Sequence, residues 1–63
     1  MNKERRAKLE QAREIISEAI MDEQAAFDNL PDSFRDGDKG AQMEEFIGNM
    51  DEAVSQLTEV IES

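Results

Sequence analysis

A chain of 63 residues is one domain at most, and this one has no cysteine for a disulfide and no His/Cys set for a structural zinc. Its net charge of −9, from 16 acidic and 7 basic side chains, opposes nucleic-acid phosphate over the main surface and favours basic partners in a salt-sensitive way. No apolar run is long enough to span a membrane, and the basic start lacks the apolar stretch of a signal peptide, so an intracellular location is expected.

The first predicted helix covers residues 3–29. Asn2 is a suitable N-cap, and from Lys3 to Asn29 there is neither glycine nor proline. Leu9, Ala12, Ile16, Ala19 or Ile20, Ala26 or Phe27, and Leu30 recur at three- and four-residue steps and make one apolar stripe. Glu23 interrupts it. Pro31 disfavours helical backbone at Leu30, so the helix ends near Asn29, a residue that tolerates the left-handed geometry common just past a helix end.

Residues 30–38 form the predicted connection, with a single helical turn at Pro31–Phe34 and Phe34 folded back to close the open end of a hairpin. The second helix is predicted over 39–62, with Asp38 as its N-cap. Met43, Met50 and Leu57 occupy one heptad position and Ile47, Val54 and Ile61 the other, while Phe46, Ala53 and Val60 widen the stripe. Gly48 either weakens the helix by about 1 kcal/mol relative to Ala or permits a close approach.

Two long helices with a short connection predict an all-α, antiparallel helical hairpin in a single domain. The charge distribution fits. Residues 1–13 carry Lys3, Arg5, Arg6, Lys8 and Arg13 against Glu4 and Glu10, whereas residues 14–63 carry 14 acids against Arg35 and Lys39. Folding back is expected to set the basic start beside Glu52, Glu59 and Glu62. The second stripe is wider than one neighbour covers, and the free-energy balance of so short a chain is close to zero. A homodimer forming a four-helix bundle is therefore expected, with Leu9, Ile16, Ile20, Met43, Ile47, Met50, Val54, Leu57 and Ile61 as dimer or core residues.

The residues speak against catalysis. Without His and Cys, the hydroxyls of Ser17, Ser33, Ser55, Thr58 and Ser63 have only Lys3, Lys8 or Lys39 as a candidate amine base, and the plentiful carboxylates line a solvated face with no evident pocket. No catalytic residue, cofactor or metal ligand is assigned. A calcium loop starting at Asp32 places Asp36 and Gly37 suitably but puts Phe34 and Met43 where oxygen ligands belong; starting at Asp36 puts Ile47 in the twelfth place. The exposed carboxylates of Glu44, Glu45, Asp51, Glu52 and Glu59, with Glu14, Glu18 and Asp22 on the first helix, offer an acidic surface that either solubilises the bundle or imitates DNA.

The stretch Asp22-Glu23-Gln24-Ala25-Ala26-Phe27-Asp28-Asn29-Leu30-Pro31-Asp32-Ser33 resembles a segment of small acidic two-helix proteins encoded in bacteriophage and prophage genomes. The likeness extends over nearly the whole chain, with Asp-Glu-Gln to Leu-Pro its distinctive part; Phe46 and Gly48 depart from the Ala or polar residues usual there. The family has no assigned activity. The resemblance implies the cytoplasm of a bacterial host and a role in blocking a host protein, for instance a defence enzyme, through a partner-binding surface at Asp22, Glu23, Gln24, Phe27, Asp28, Asn29 and Leu30. Against it stands plain helix termination by the same residues.

Four functions follow as expectations. The first is a phage-type inhibitor or modulator of a host protein with a basic surface, acting by occlusion. The second is a DNA mimic that fills a nucleic-acid-binding channel without binding nucleic acid itself. The third is a structural or regulatory coiled-coil module, and the fourth a sponge for an anionic nucleotide at the basic ends of a dimer.

Overall fold

Helix α1 spans Lys3–Asp28, a short α2 spans Asp32–Arg35, and α3 spans Asp38–Glu62, in a computed structural model that describes residues 1–63. There is no strand. The α1 boundary is set by capping: Asn2 Oδ1 accepts the Arg5 backbone N–H at 2.8 Å and satisfies one of the first-turn donors that lack intrahelical partners. At the other end the Asn29 N–H donates to the Ala25 carbonyl at 3.1 Å. The Leu30 N–H bonds Phe27 O at 3.1 Å, and Pro31 ends the helix.

Two local expectations are corrected here. Asn29 lies at φ −92°, ψ −1°, and no residue adopts positive φ, so α1 ends without a left-handed step. The chain instead reverses through α2, whose Phe34 and Arg35 N–H groups bond Pro31 O at 2.9 and 3.0 Å. At the start of α3 the cap is Gly37, in extended geometry and with no side-chain hydrogen bond, while Asp38 is the first helical residue. There its carboxylate faces the positive end of the helix dipole.

Helices α1 and α3 pack side by side and antiparallel, as the hairpin pattern requires: Arg13 Nη1 donates to Thr58 Oγ1 at 3.2 Å and Arg6 Nη2 to Ser63 O at 3.3 Å. Burial along each helix follows a heptad. On α3 the seam is Gly40, Met43, Ile47, Met50, Val54, Leu57 and Ile61, alternating steps of three and four, and every one is buried or half-buried. On α1 the same alternation runs through Arg6, Leu9, Arg13, Ile16, Ile20, Glu23, Phe27 and Leu30, all half-buried. The structure thus chooses Ile20 over Ala19 and Phe27 over Ala26, both alanines being exposed. It also admits three charged residues, Arg6, Arg13 and Glu23, to the seam.

One seam leaves a thin molecule. Its extents are 48 × 15 × 11 Å and its radius of gyration is 14.7 Å, against about 10.6 Å for a compact domain of this length. Only Gly40, Met43 and Ile61 are buried, and no side chain is fully enclosed.

The loop end closes differently from the expectation for Phe34, which is 54% exposed. Gly40 does the closing. A Cβ there would collide with the Arg35 backbone carbonyl, so the missing side chain is what lets α2 rest on the first turn of α3. Gly48, the candidate for close approach, has open space where its Cβ would be. Nor do the oppositely charged ends of α1 and α3 pair, since the single salt bridge is Arg35–Asp32 at 2.8 Å within α2. The reason is angular. Arg6 and Arg13 turn into the seam, whereas Glu52 and Glu59 lie on the outward ridge of α3 and Glu62 beside it.

The two glycines should respond oppositely to alanine. Gly40→Ala overpacks a backbone contact and is expected to cost about 2 kcal/mol, lowering the melting temperature by about 10 °C. Gly48→Ala gains helix propensity without a clash and should add about 1 kcal/mol, raising it by about 5 °C. Thermal unfolding followed by circular dichroism measures both.

Candidate protein-binding surface

In an antiparallel pair, residues flanking the seam on one helix meet their heptad counterparts on the other, which gives the hairpin two unlike flanks. One carries Glu10, Ser17 and Gln24 of α1 with Glu44, Asp51 and Thr58 of α3. The other carries Ala12, Ala19 and Ala26 with Phe46, Ala53 and Val60, and Ile15 borders it. Phe46 is 49% exposed, Val60 43% and Ile15 66%. The first flank is polar and the second apolar, and both stay partly open: Ala19, Ala26, Phe46 and Val60 are exposed, with Ala12 and Ala53 half-buried between them.

The segment Asp22–Leu30 divides between inside and outside. Phe27 and Leu30 are half-buried on the seam, and Glu23 lies half-buried with them. Asp22, Gln24, Asp28 and Asn29 are exposed, and Gln24 Nε2 donates to Asp28 Oδ1 at 3.1 Å, fixing an amide and a carboxylate one helical turn apart. The outward part of this segment is polar apart from Ala25 and Ala26, while Phe27 and Leu30 hold α1 on α3.

The acidic residues of α3 are all exposed. Glu45, Glu52 and Glu59 repeat every seven residues along the outer ridge, about 10 Å apart, and Glu44 and Asp51 sit at the polar flank. Along the rod the charge is uneven. The terminal half, residues 1–15 and 54–63, holds five acids and five cations, while residues 16–53 hold eleven acids against Arg35 and Lys39. Apart from the Arg35–Asp32 bridge, no carboxylate forms an ion pair. The loop half is an almost uncompensated anionic surface.

At the terminal end the Arg6 Nε is buried without a hydrogen-bond partner. The Thr58 hydroxyl donates to Val54 O at 2.8 Å and accepts from Arg13, so this end of the seam is polar. The heptad steps already place Arg6 and Arg13 on that line, a signal that an apolar-only reading of the stripe passes over.

Comparison with protein families, with curated proteins and with solved structures found no match. The surface has no pocket, and no group of His, Cys, Asp or Glu side chains is placed to hold a metal ion. No helix is long and apolar enough to cross a membrane. What the fold displays is a ridged, acidic, convex surface with one apolar flank.

Glu23 sits on the seam at a place where the heptad calls for an apolar side chain. Glu23→Leu should therefore stabilise the hairpin by about 1.5 kcal/mol. Chemical denaturation would show the midpoint rising; an unchanged or lower midpoint would mean that the Glu23 carboxylate has a favourable role in the folded chain.

Proposed function

We propose that this chain is a non-enzymatic, phage-type binding protein that modulates a host protein through its acidic helical surface, and that it works as a homodimer. The observation that carries the reading is the loop half of the rod, where eleven carboxylates face two cations and one ion pair. Such a surface raises the encounter rate with a basic partner and disfavours others through like-charge repulsion. With no concave site to enclose a small molecule, recognition falls to the convex helix faces. The mechanism is occlusion: the 48 Å rod lies across the partner's basic site and blocks it. The exposed Asp22, Gln24, Asp28 and Asn29 provide directed polar contacts at the end where the charge is concentrated.

A defence enzyme is a suitable target because the segment Asp22–Pro31 is what resembles the phage proteins. Imitation of DNA is the second reading, favoured by the row Glu45, Glu52 and Glu59. Its repeat of about 10 Å per carboxylate is sparser than the charge on DNA, one per about 3.4 Å of each strand. Occlusion is the better supported of the two.

Affinity capture from a bacterial lysate, repeated with excess DNA, separates them. An occluded partner stays bound in DNA and is lost on Asp22→Lys with Asp28→Lys. A mimicked site releases its protein to DNA and is lost on charge reversal at Glu44, Glu45, Asp51 and Glu52. With the captured protein in hand, the association rate should fall at least about tenfold between low and high salt. A rate indifferent to salt would rule out the acidic surface as the recognition element.

A further inference from the structure

We infer that the apolar flank formed by Ala12, Ala19 and Ala26 with Phe46, Ala53 and Val60 docks a second copy of this chain, with the two hairpins running in opposite directions. The inference deepens the homodimer of the preceding reading by assigning its face and its orientation.

Three observations select this occupant. The first is area. The chain exposes 4823 Å², whereas a compact monomer of its mass exposes about 4,100 Å². The surplus, about 700 Å², is close to the roughly 800 Å² that each partner contributes to a specific interface.

The second is shape. The flank repeats every seven residues on both helices, as the seam does, so it continues the heptad pattern into a second layer. Its α1 side is alanine throughout, which lets one α1 approach another closely. Its α3 side has Phe46 at the loop end and Val60 at the terminal end.

The third is charge, and it decides direction. A parallel arrangement would set the loop half of one copy, eleven acids against two cations, on the same half of the other. Like charges so juxtaposed are strongly disfavoured. The antiparallel arrangement, with its twofold axis crossing near Ala19 and Ala53, sets each charge-balanced terminal half beside an acidic loop half. Ala12 then faces Ala26 of the second copy, and Val60 faces Phe46 of the second copy. Arg5, which makes no ion pair within the chain, lies on this side and comes to the level of Asp32 of the second copy. The pairing that the single hairpin fails to make between its own ends becomes available between copies.

Sedimentation equilibrium of the full chain at about 100 µM, a concentration at which even a micromolar complex is assembled, should give twice the 7.1 kDa chain mass. Phe46→Glu and Ala53→Glu place a charge in the proposed interface and should each weaken association at least about a hundredfold. Met21→Glu, exposed on the opposite side, should leave the mass unchanged. Because a monomeric variant loses the support of its partner helices, direction is read on chains with intact charges. A mixture of Ala12→Cys and Ala26→Cys chains should form mixed disulfides on mild oxidation, and a mixture of Ala12→Cys and Val60→Cys chains should not. A folded monomer at this concentration, a dimer indifferent to Phe46→Glu, or cross-linking through Ala12→Cys and Val60→Cys would each overturn the inference. Lysate capture reads the other proposal separately: a monomer that still captures a salt-sensitive protein removes the dimer alone, and a dimer that captures nothing removes the binding role alone.

Discussion

Two helices joined by a short connection share a single line of contact, and everything else in this molecule follows from how little that line hides. A helix in a larger bundle has neighbours on two or three sides; here each has one. The alternating three- and four-residue steps therefore place most protected side chains on the strip between α1 and α3. Burial is deepest at Gly40, Met43 and Ile61, and even there it is incomplete. The rod shape is the same fact seen from outside.

Such a narrow seam makes individual positions matter. Gly40 admits the α2 backbone because it has no Cβ, and this contact turns an open-ended pair of helices into a closed hairpin. Arg6, Arg13 and Glu23 occupy places where leucine would hold the helices better. The arginines find a carbonyl and a hydroxyl, Ser63 O and Thr58 Oγ1, which soften the cost of their position without ion pairing. Glu23 is half-buried on the seam without a hydrogen bond or ion pair.

The outer faces explain the charge pattern. Carboxylates on the ridge of α3 point away from α1, so the fold neither neutralises nor screens them. A surface of this kind attracts cations and opposes the approach of a like-charged surface. The apolar flank works the other way, favouring association on one side only. An acidic face left free and an apolar face covered by a second copy are compatible because they lie on different sides of the hairpin.

Much of this was legible in the residues. Asn2, Pro31 and the uninterrupted run between them bound α1, and Met43, Ile47, Met50, Val54, Leu57 and Ile61 mark the seam of α3, because capping and periodicity are local properties that a helix expresses wherever it forms. The width of the α3 stripe, through Phe46, Ala53 and Val60, could likewise be read from spacing. What the residues left open were matters of angle and approach between segments distant in the chain. Ala19 or Ile20, Ala26 or Phe27 were equal candidates until the position of α3 chose between them. Gly48 and Gly40 are alike as letters, and only the placement of α2 shows that the second is indispensable and the first faces open space. The basic start and acidic end of the chain looked complementary by proximity, yet the rotation of each helix about its own axis turns their side chains apart. Composition and period determined that this protein is a hairpin of two helices; the relative rotation of those helices decided which charges stay unpaired, because a heptad fixes the buried line and leaves every other direction to the packing.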